Sequence, residues 1–298
     1  MTNYDFSIAW NWEYDSDFIG LLECACRQNS LTLLNIIPDN LNEILHSLEN
    51  GIISFKVFFD RASDTDKHFI PVDQWAHDND IFRINAHEIA VRSWSKAIIH
   101  FELINAGVQT PYTIIIPPYE KQPDLKEIDL SLLGENFFIK PAHGGGGEGI
   151  IREATSFNQV LIARQVKPAD YYLLQAHIFP VQLDTRPAWF RIIYCTGKVY
   201  LSWWNPHSHV YIPVTTEEEK RYNMYQIHNI TNKIAHVCEL ELFSTEIALT
   251  PDDIFVVIDY INDQIDLRLK SKAIDGVPDD FVYDISGRLI DLVATHSG

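Results

Sequence analysis

Basic charge is scarce in this chain. Lysine and arginine total 23 against 41 aspartates and glutamates, a formal net charge of −18. Binding to extended nucleic acid depends on neutralising phosphates with basic side chains. No basic patch is present, so DNA and RNA are not expected partners. Long apolar runs are missing as well. No segment approaches the ~20 residues of a membrane span, so no membrane partner is expected. The opening MTNYDFSIAWNWEYDSD has no basic start followed by an apolar stretch, so no secretory leader is expected and the cytoplasm is the default location. The four cysteines (Cys24, Cys26, Cys195, Cys238) form no CxxC and read as reduced, mostly buried thiols. Twelve histidines include no HExxH, and the HxH of His207 and His209 lacks a third partner at useful spacing. Acidity does not exclude a nucleotide, because magnesium can bridge acidic side chains and a polyphosphate.

With 298 residues, the chain is too long for one small core and fits two or three packed subdomains. Residues 6–60 alternate strand and helix. FSIAW, LTLLNII and SFKVFFDR read as strands; 16–28 and 38–49 read as helices. Asp15 or Ser16 caps the first helix, whose apolar face carries Phe18, Leu21, Leu22 and Ala25. This is the pattern of a small parallel sheet. The first turn lacks GxGxxG, so no dinucleotide fingerprint is present. Asn85 with Glu88 makes a capping box for a helix with Trp94, Ile98, Phe101 and Ile104 at helical spacing. YTIII and YYLLQA are strands, and WFRIIYC-TG-KVYLSWW is a hairpin turning at Thr196-Gly197. A long helix follows over 216–239, then two strands joined by a PDD turn and a terminal helix over 278–293.

FFIKPAHGGGGEGII is the most informative stretch. A strand delivers Lys140, proline ends it, and four glycines follow. Glycine lets backbone N–H groups approach phosphate oxygens and costs entropy on ordering. Residues 144–149 satisfy GxGxxG, but no helix follows directly, so a dinucleotide fold is excluded. There is no GK[ST], so a Walker loop is excluded. A protein kinase carries its lysine on the strand after the glycine loop, the reverse of this order. The alternative is a mobile surface loop beside an ordinary lysine.

With its flanks, the chain from about residue 80 to 270 resembles the ATP-grasp superfamily, above all the ribosomal-protein glutamate ligase and glutathione synthetase branch. The segment FRINAHEIAVRSWSKAIIHFELINAGVQTPYTIII is similar to that family's helix bearing a nucleotide-contacting lysine, which maps to Lys96. Lys140 matches the second ATP lysine. His143, Gly144, Gly145, Gly146, Gly147 and Gly149 match its phosphate lid. YYLLQAHI resembles the hinge that reads the adenine edge, giving Gln175, Ala176, His177 and Ile178. Arg191 in WFRIIYCTGKVY aligns with an arginine that faces the phosphates or an acyl phosphate. Trp189 stands where an aspartate is usual, and Asp184 becomes the candidate for the ribose hydroxyls.

STEIALTPDDIFVVIDYINDQIDLR resembles the paired strands that hold two magnesium ions through Glu246 and Asp259. The family pattern is an acid, one spacer, then asparagine; here Asp259 and Asn262 have two spacers with Asp263 alongside, leaving Asn262 or Asp263 to complete the site. Carboxylates within apolar strands are costly unless paired or metal-bound.

The resemblance implies an α/β (α+β) chain with an ATP-grasp fold. Its N-terminal parallel-sheet domain spans 1–84, a central subdomain with the glycine lid 85–178, and a C-terminal subdomain with the metal site 179–298. It implies ATP and magnesium, a small-molecule or peptide carboxylate as substrate, and carboxylate activation through an acyl phosphate with Arg191 and Lys140 as catalytic groups; a homodimer is also allowed. The alternatives are a small-molecule kinase of the inositol phosphate kinase type and a non-catalytic ATP-binding regulator.

Overall fold

The apolar run at the start of the chain is buried on both faces. In a computed structural model, which describes residues 1–145 and 147–297, β1 (Thr2–Trp10) lies between β2 (Leu33–Ile36) and β3 (Ile53–Arg61). A fourth strand, β4 (Phe82–Ile84), completes the sheet in the order β2-β1-β3-β4, all parallel. Its three residues are too few to show alternation in sequence. Parallel neighbours need crossover connections, and α1 (Ser16–Gln28), α2 (Leu41–Glu49) and α3 (Ile70–Asp78) supply them.

Asp15 does precede α1, but its carboxylate caps nothing. It accepts from Nε and Nη2 of Arg61 at 2.9 and 2.7 Å, with both side chains 2% exposed. Removing one partner of such a pair strands the other charge in the core. Asp15→Ala should therefore lower the unfolding free energy by about 3–5 kcal/mol, read from urea melts.

Helix α4 (His87–Trp94) and helix α5 (Lys96–Asn105) replace the single expected helix, with a break at the extended Ser95. The expected capping box is absent. Ala86 is the N-cap, Asn85 has φ +53°, and Glu88 pairs with Arg83 instead. The expected apolar face is also wrong. Ile98, Phe101 and Ile104 are 46%, 58% and 48% exposed, while Ala97, Ile99, His100 and Leu103 are buried. Helix α5 is apolar on more than one side, and the break at Ser95 sets its phase apart from that of α4, so one periodicity over both helices does not select the inner face.

The central sheet is antiparallel, in the order β5 (Thr113–Ile116), β8 (Tyr172–Ala176), β6 (Phe137–Pro141), β7 (Ile151–Ala154). Helix α6 (Phe157–Ala163) starts with a Ser156/Gln159 capping box. The fully buried Arg164 then donates to the carbonyls of Pro117, Pro118 and Gln122, tying down the polar connection after β5.

The third sheet follows a short ribbon of β9 (Gln182–Leu183) and β10 (Arg186–Pro187). Its strands are β11 (Trp189–Cys195), β12 (Lys198–Trp204), β13 (Tyr211–Pro213), β14 (Leu242–Leu249) and β15 (Phe255–Asn262), in the order β13-β12-β11-β14-β15. Thr196 and Gly197 both have positive φ, 43° and 86°, as the tight turn of a twisted hairpin requires. The expected helix over 216–239 is two helices, α7 (Thr216–Arg221) and α8 (Tyr225–Cys238), parted where Asn223 turns to φ +52°. Helices α4, α5 and α8 share a core with this sheet through Ala90, Ile99, Leu103, Ile227, Phe190 and Ile247. Helix α9 (Asp279–Ser297) returns to the first sheet, where Ile285, Leu289 and Val293 meet Phe6, Ile8 and Phe59. Among the described residues, no helix is long and apolar enough to cross a membrane.

Candidate active site

Alternation on β6 sends Phe137 and Ile139 into the core of the central sheet, so Phe138 and Lys140 face the other way. The Lys140 ammonium sits 4.9 Å from the Phe138 ring centroid and donates to Oε1 of Gln175 at 2.6 Å. Removal from water pushes the ammonium down to about 8, against the pull of Asp259.

The third sheet presents a row of side chains across its strands. Register sets Arg191 of β11 opposite Glu246 of β14, and Glu246 opposite Asp259 of β15. Residues opposite one another share a face. Arg191 donates through Nη1 to Glu246 at 2.7 Å and through Nη2 to Ser244 Oγ at 2.9 Å, and its Nη1 lies 3.9 Å from Asp259. Trp189 Nε1 donates to the other Glu246 oxygen at 2.9 Å, so the tryptophan that stands where an aspartate is usual acts as a donor to the acid. Burial raises the Glu246 carboxyl above its usual range.

The spacing of the acids is resolved by bulges. Register shifts on either side of Glu246 give β15 extra residues relative to β14. A bulge changes which face the following side chain takes. Asn262, three residues after Asp259, therefore returns to the same face, and its amide donates to Asp259 Oδ2 at 2.8 Å. Asp263 turns away. It accepts from Asn85 Nδ2 at 2.7 Å, and burial pushes its carboxyl up to about 7. Asn85 also binds the backbone of Glu241 and Leu242 at 2.8 and 3.1 Å. Asp263 thus belongs to a buried brace and not to the Glu246–Asp259 face.

Lys96 begins α5 and reaches the lid, where its ammonium donates to the Gly144 carbonyl. Burial lowers its affinity for the proton, opposed by Asp259 and Asp170. The lid is the tip of the β6–β7 hairpin. His143 anchors it with its backbone N–H and Nδ1 on the two oxygens of Asp170, at 2.9 and 2.8 Å. Gly144 and Gly147 have φ +131° and +79°. A Cβ at Gly144 would come 3.3 Å from Lys167 Nζ, and one at Gly147 3.6 Å from Arg152 Nη2. Glycine is thus favoured there by backbone conformation, since the nearest atoms are the ends of flexible side chains. Gly145 and Gly149 lie in the same turn, and Gly146 lies outside the described residues. Lys167, Arg152 and Asp170 were missed in sequence; Arg152 alone carried a signal, as a cation on the strand leaving the lid.

At the expected hinge, Gln175 is 1% exposed and spends its side chain inside the protein, on Lys140, Thr113 and Tyr260. The Ala176 N–H is taken by the Tyr112 carbonyl. His177 stacks between Phe138 and Phe179, with centroids 4.1 and 6.1 Å away, and β8 ends before Ile178. Asp184 is held by Arg221 Nη2 at 2.9 Å and Tyr222 Oη at 2.5 Å, and makes no contact with the Lys140–Asp259 group among the described residues. His209 stacks on Trp204. Among the described residues, no three His, Cys, Asp or Glu side chains group to hold a metal by themselves.

No protein-family model matches the chain, and no curated protein matches it either. Solved structures do. The D-alanine–D-alanine ligase from Bacillus anthracis complexed with ATP matches with a TM-score of 0.67 at 12% identity, over 100% of this chain and 97% of that one. A RimK domain ATP-grasp protein from Sphaerobacter thermophilus matches at 0.66 and 14%, over 97% and 99%. The ATP-grasp ligase PsnB, complexed with a minimal precursor, Mg and ADP, matches at 0.62 and 13%, over 100% and 99%. This chain has the ATP-grasp fold, from its parallel N-terminal sheet to the acidic strand pair. The structures it is similar to include a D-alanine–D-alanine ligase and an ATP-grasp ligase complexed with a precursor peptide.

Proposed function

We propose that the protein is an ATP-dependent ligase that joins a carboxylate to an amine, or to a thiol, using magnesium and releasing ADP and phosphate. The supporting observation is the convergence of one row of charge, Arg191–Glu246–Asp259 with Asn262, and the cations of the lid side, Lys140 and Lys96, whose proton affinities both respond to Asp259. Two carboxylates and an amide oxygen are hard donors of the kind magnesium takes, and a buried acid such as Glu246 gains from a bound cation. Glu246, Asp259 and Asn262 would hold the metal, which supplies neutralisation of phosphate charge when bound.

The chain's own groups then have distinct tasks. Lys140 and Lys96 bind phosphate oxygens, and the glycine lid brings backbone N–H groups over them. A substrate carboxylate oxygen attacks the γ-phosphorus as the bond to the ADP oxygen breaks, giving an acyl phosphate. The nucleophile then attacks the acyl carbon, loses its proton, and phosphate leaves. Arg191, held by Glu246 and Ser244 beside Asp259, stabilises the oxygen charge that develops in both steps. The protein contributes positioning and electrostatics, with no covalent enzyme intermediate.

The test is a screen of amino acids and short peptides with magnesium-ATP, scored by phosphate release. Release that needs both a carboxylate and an amine or thiol is expected. A stable phosphorylated product formed without a nucleophile would replace this reading with a kinase.

A further inference from the structure

Lys140 is the end of a buried hydrogen-bond chain that nothing in the nucleotide reading requires. Its ammonium donates to Gln175 Oε1 at 2.6 Å. Gln175 Nε2 donates to the Tyr260 hydroxyl at 2.9 Å and to Thr113 Oγ1 at 3.1 Å. The Tyr260 hydroxyl lies 2.6 Å from His100 Nδ1. Four elements, β6, β8, β15 and α5, each contribute one member, and Gln175, Tyr260 and His100 are 1%, 4% and 3% exposed.

The chain has one direction. An ammonium can only donate, so the Gln175 oxygen must face Lys140 and its NH₂ must face Tyr260. The tyrosine oxygen accepts from Gln175 and passes its own proton on to His100 Nδ1. Burial favours the neutral imidazole at His100, and in the tautomer protonated on Nε2 its Nδ1 accepts that proton. A flipped Gln175 amide would set its NH₂ against the Lys140 ammonium, donor against donor, so one amide orientation fits the chain. Tyr260 follows Asp259 directly in β15, so the same strand that carries the acid on one face holds the lysine's support on the other.

We propose that Tyr260, with Gln175 before it and His100 behind it, is a positioning residue that sets where the Lys140 ammonium stands relative to Asp259 and to the nucleotide. The proposal rests on the ATP reading for its second half only. Three substitutions at increasing distance from Lys140 test it: Gln175→Leu, Tyr260→Phe and His100→Leu. Two readouts are used. Modification of Lys140 in the free protein by an amine-directed reagent is followed by mass spectrometry, and magnesium-ATP affinity is measured by calorimetry without a nucleophile present. Thr231→Val is the control, because it deletes a fully buried hydroxyl of α8 that binds only the Ile227 carbonyl.

Gln175→Leu should weaken ATP binding by about tenfold or more, Tyr260→Phe by several-fold, and His100→Leu least, an ordering that follows position in the chain and not lost volume. Lys140 modification should change about threefold or more in Tyr260→Phe, with Lys198 unchanged as internal reference. Unchanged Lys140 modification in Tyr260→Phe would overturn the proposal whether or not ATP binds. So would an equal loss of ATP affinity in Thr231→Val at matched melting temperature. If the wild-type protein binds no ATP while Lys140 modification still responds, the ligase reading fails and the positioning chain stands.

Discussion

Asp259→Asn is expected to reduce turnover on the order of 1,000-fold, equivalent to about 4 kcal/mol of transition-state stabilisation, while the protein folds normally. The substitution keeps shape, and the new amide oxygen can still accept from Asn262. What it removes is one of the two charges that would hold magnesium. Glu246→Gln should lose a similar factor but also lower the melting temperature, because Arg191 and Glu246 are each only 13% exposed and pair at 2.7 Å. The neighbouring residues then separate. Asn262→Ala should impair turnover strongly, because the bulged strand returns Asn262 to Asp259. Asp263→Ala should leave turnover near wild type and cost stability, because Asp263 braces Asn85. Thermal melts with and without magnesium-ATP report binding apart from chemistry. Full activity in both Asp259→Asn and Glu246→Gln would end the metal-site assignment.

Lys140→Met should weaken magnesium-ATP binding by on the order of 100-fold, since hydrogen bonds to charged groups are worth about 1.5–3 kcal/mol each and a full charge is lost as well. A pH dependence should disappear with it. Burial holds the Lys140 ammonium near about 8 in the free protein, and phosphate binds the charged form. Below that value the charge is present and affinity is level. As pH rises through it the charge is lost, and affinity should fall by about tenfold for each further unit. At pH 8–9, binding should be accompanied by proton uptake, visible as a buffer-dependent calorimetric enthalpy. Lys140→Met should show neither the fall nor the uptake. A wild-type affinity flat from pH 7 to 9 would contradict the buried-ammonium account.

Local chemistry made Lys140 and its loop legible. A strand, a proline and a glycine run are short-range features, and the positive φ of Gly144, Gly147 and Gly149 matches that reading. Strand identity in β6, β8, β11, β14 and β15 followed from apolar runs in the same way. The resemblance supplied Lys96, Arg191, Glu246 and Asp259, and the tertiary structure brings them into contact or electrostatic reach of one another. Asp184 is different: its carboxylate is taken by Arg221 and Tyr222.

By itself the sequence determined the strand–helix alternation of the first sheet, the hairpin at Thr196-Gly197 and the lysine-before-glycine arrangement, because each depends on residues a few positions apart. The tertiary structure decided the rest. Which of Asn262 and Asp263 joins Asp259 depends on bulges created by pairing with β14. Gln175 became Lys140's internal partner because β15 places Tyr260 behind it. Asn85 became a brace for Asp263 and the backbone of residues 241–242 instead of a cap. The inner face of α5 was chosen by the sheet it packs against, since a helix apolar on several sides has no preferred face until a partner buries one.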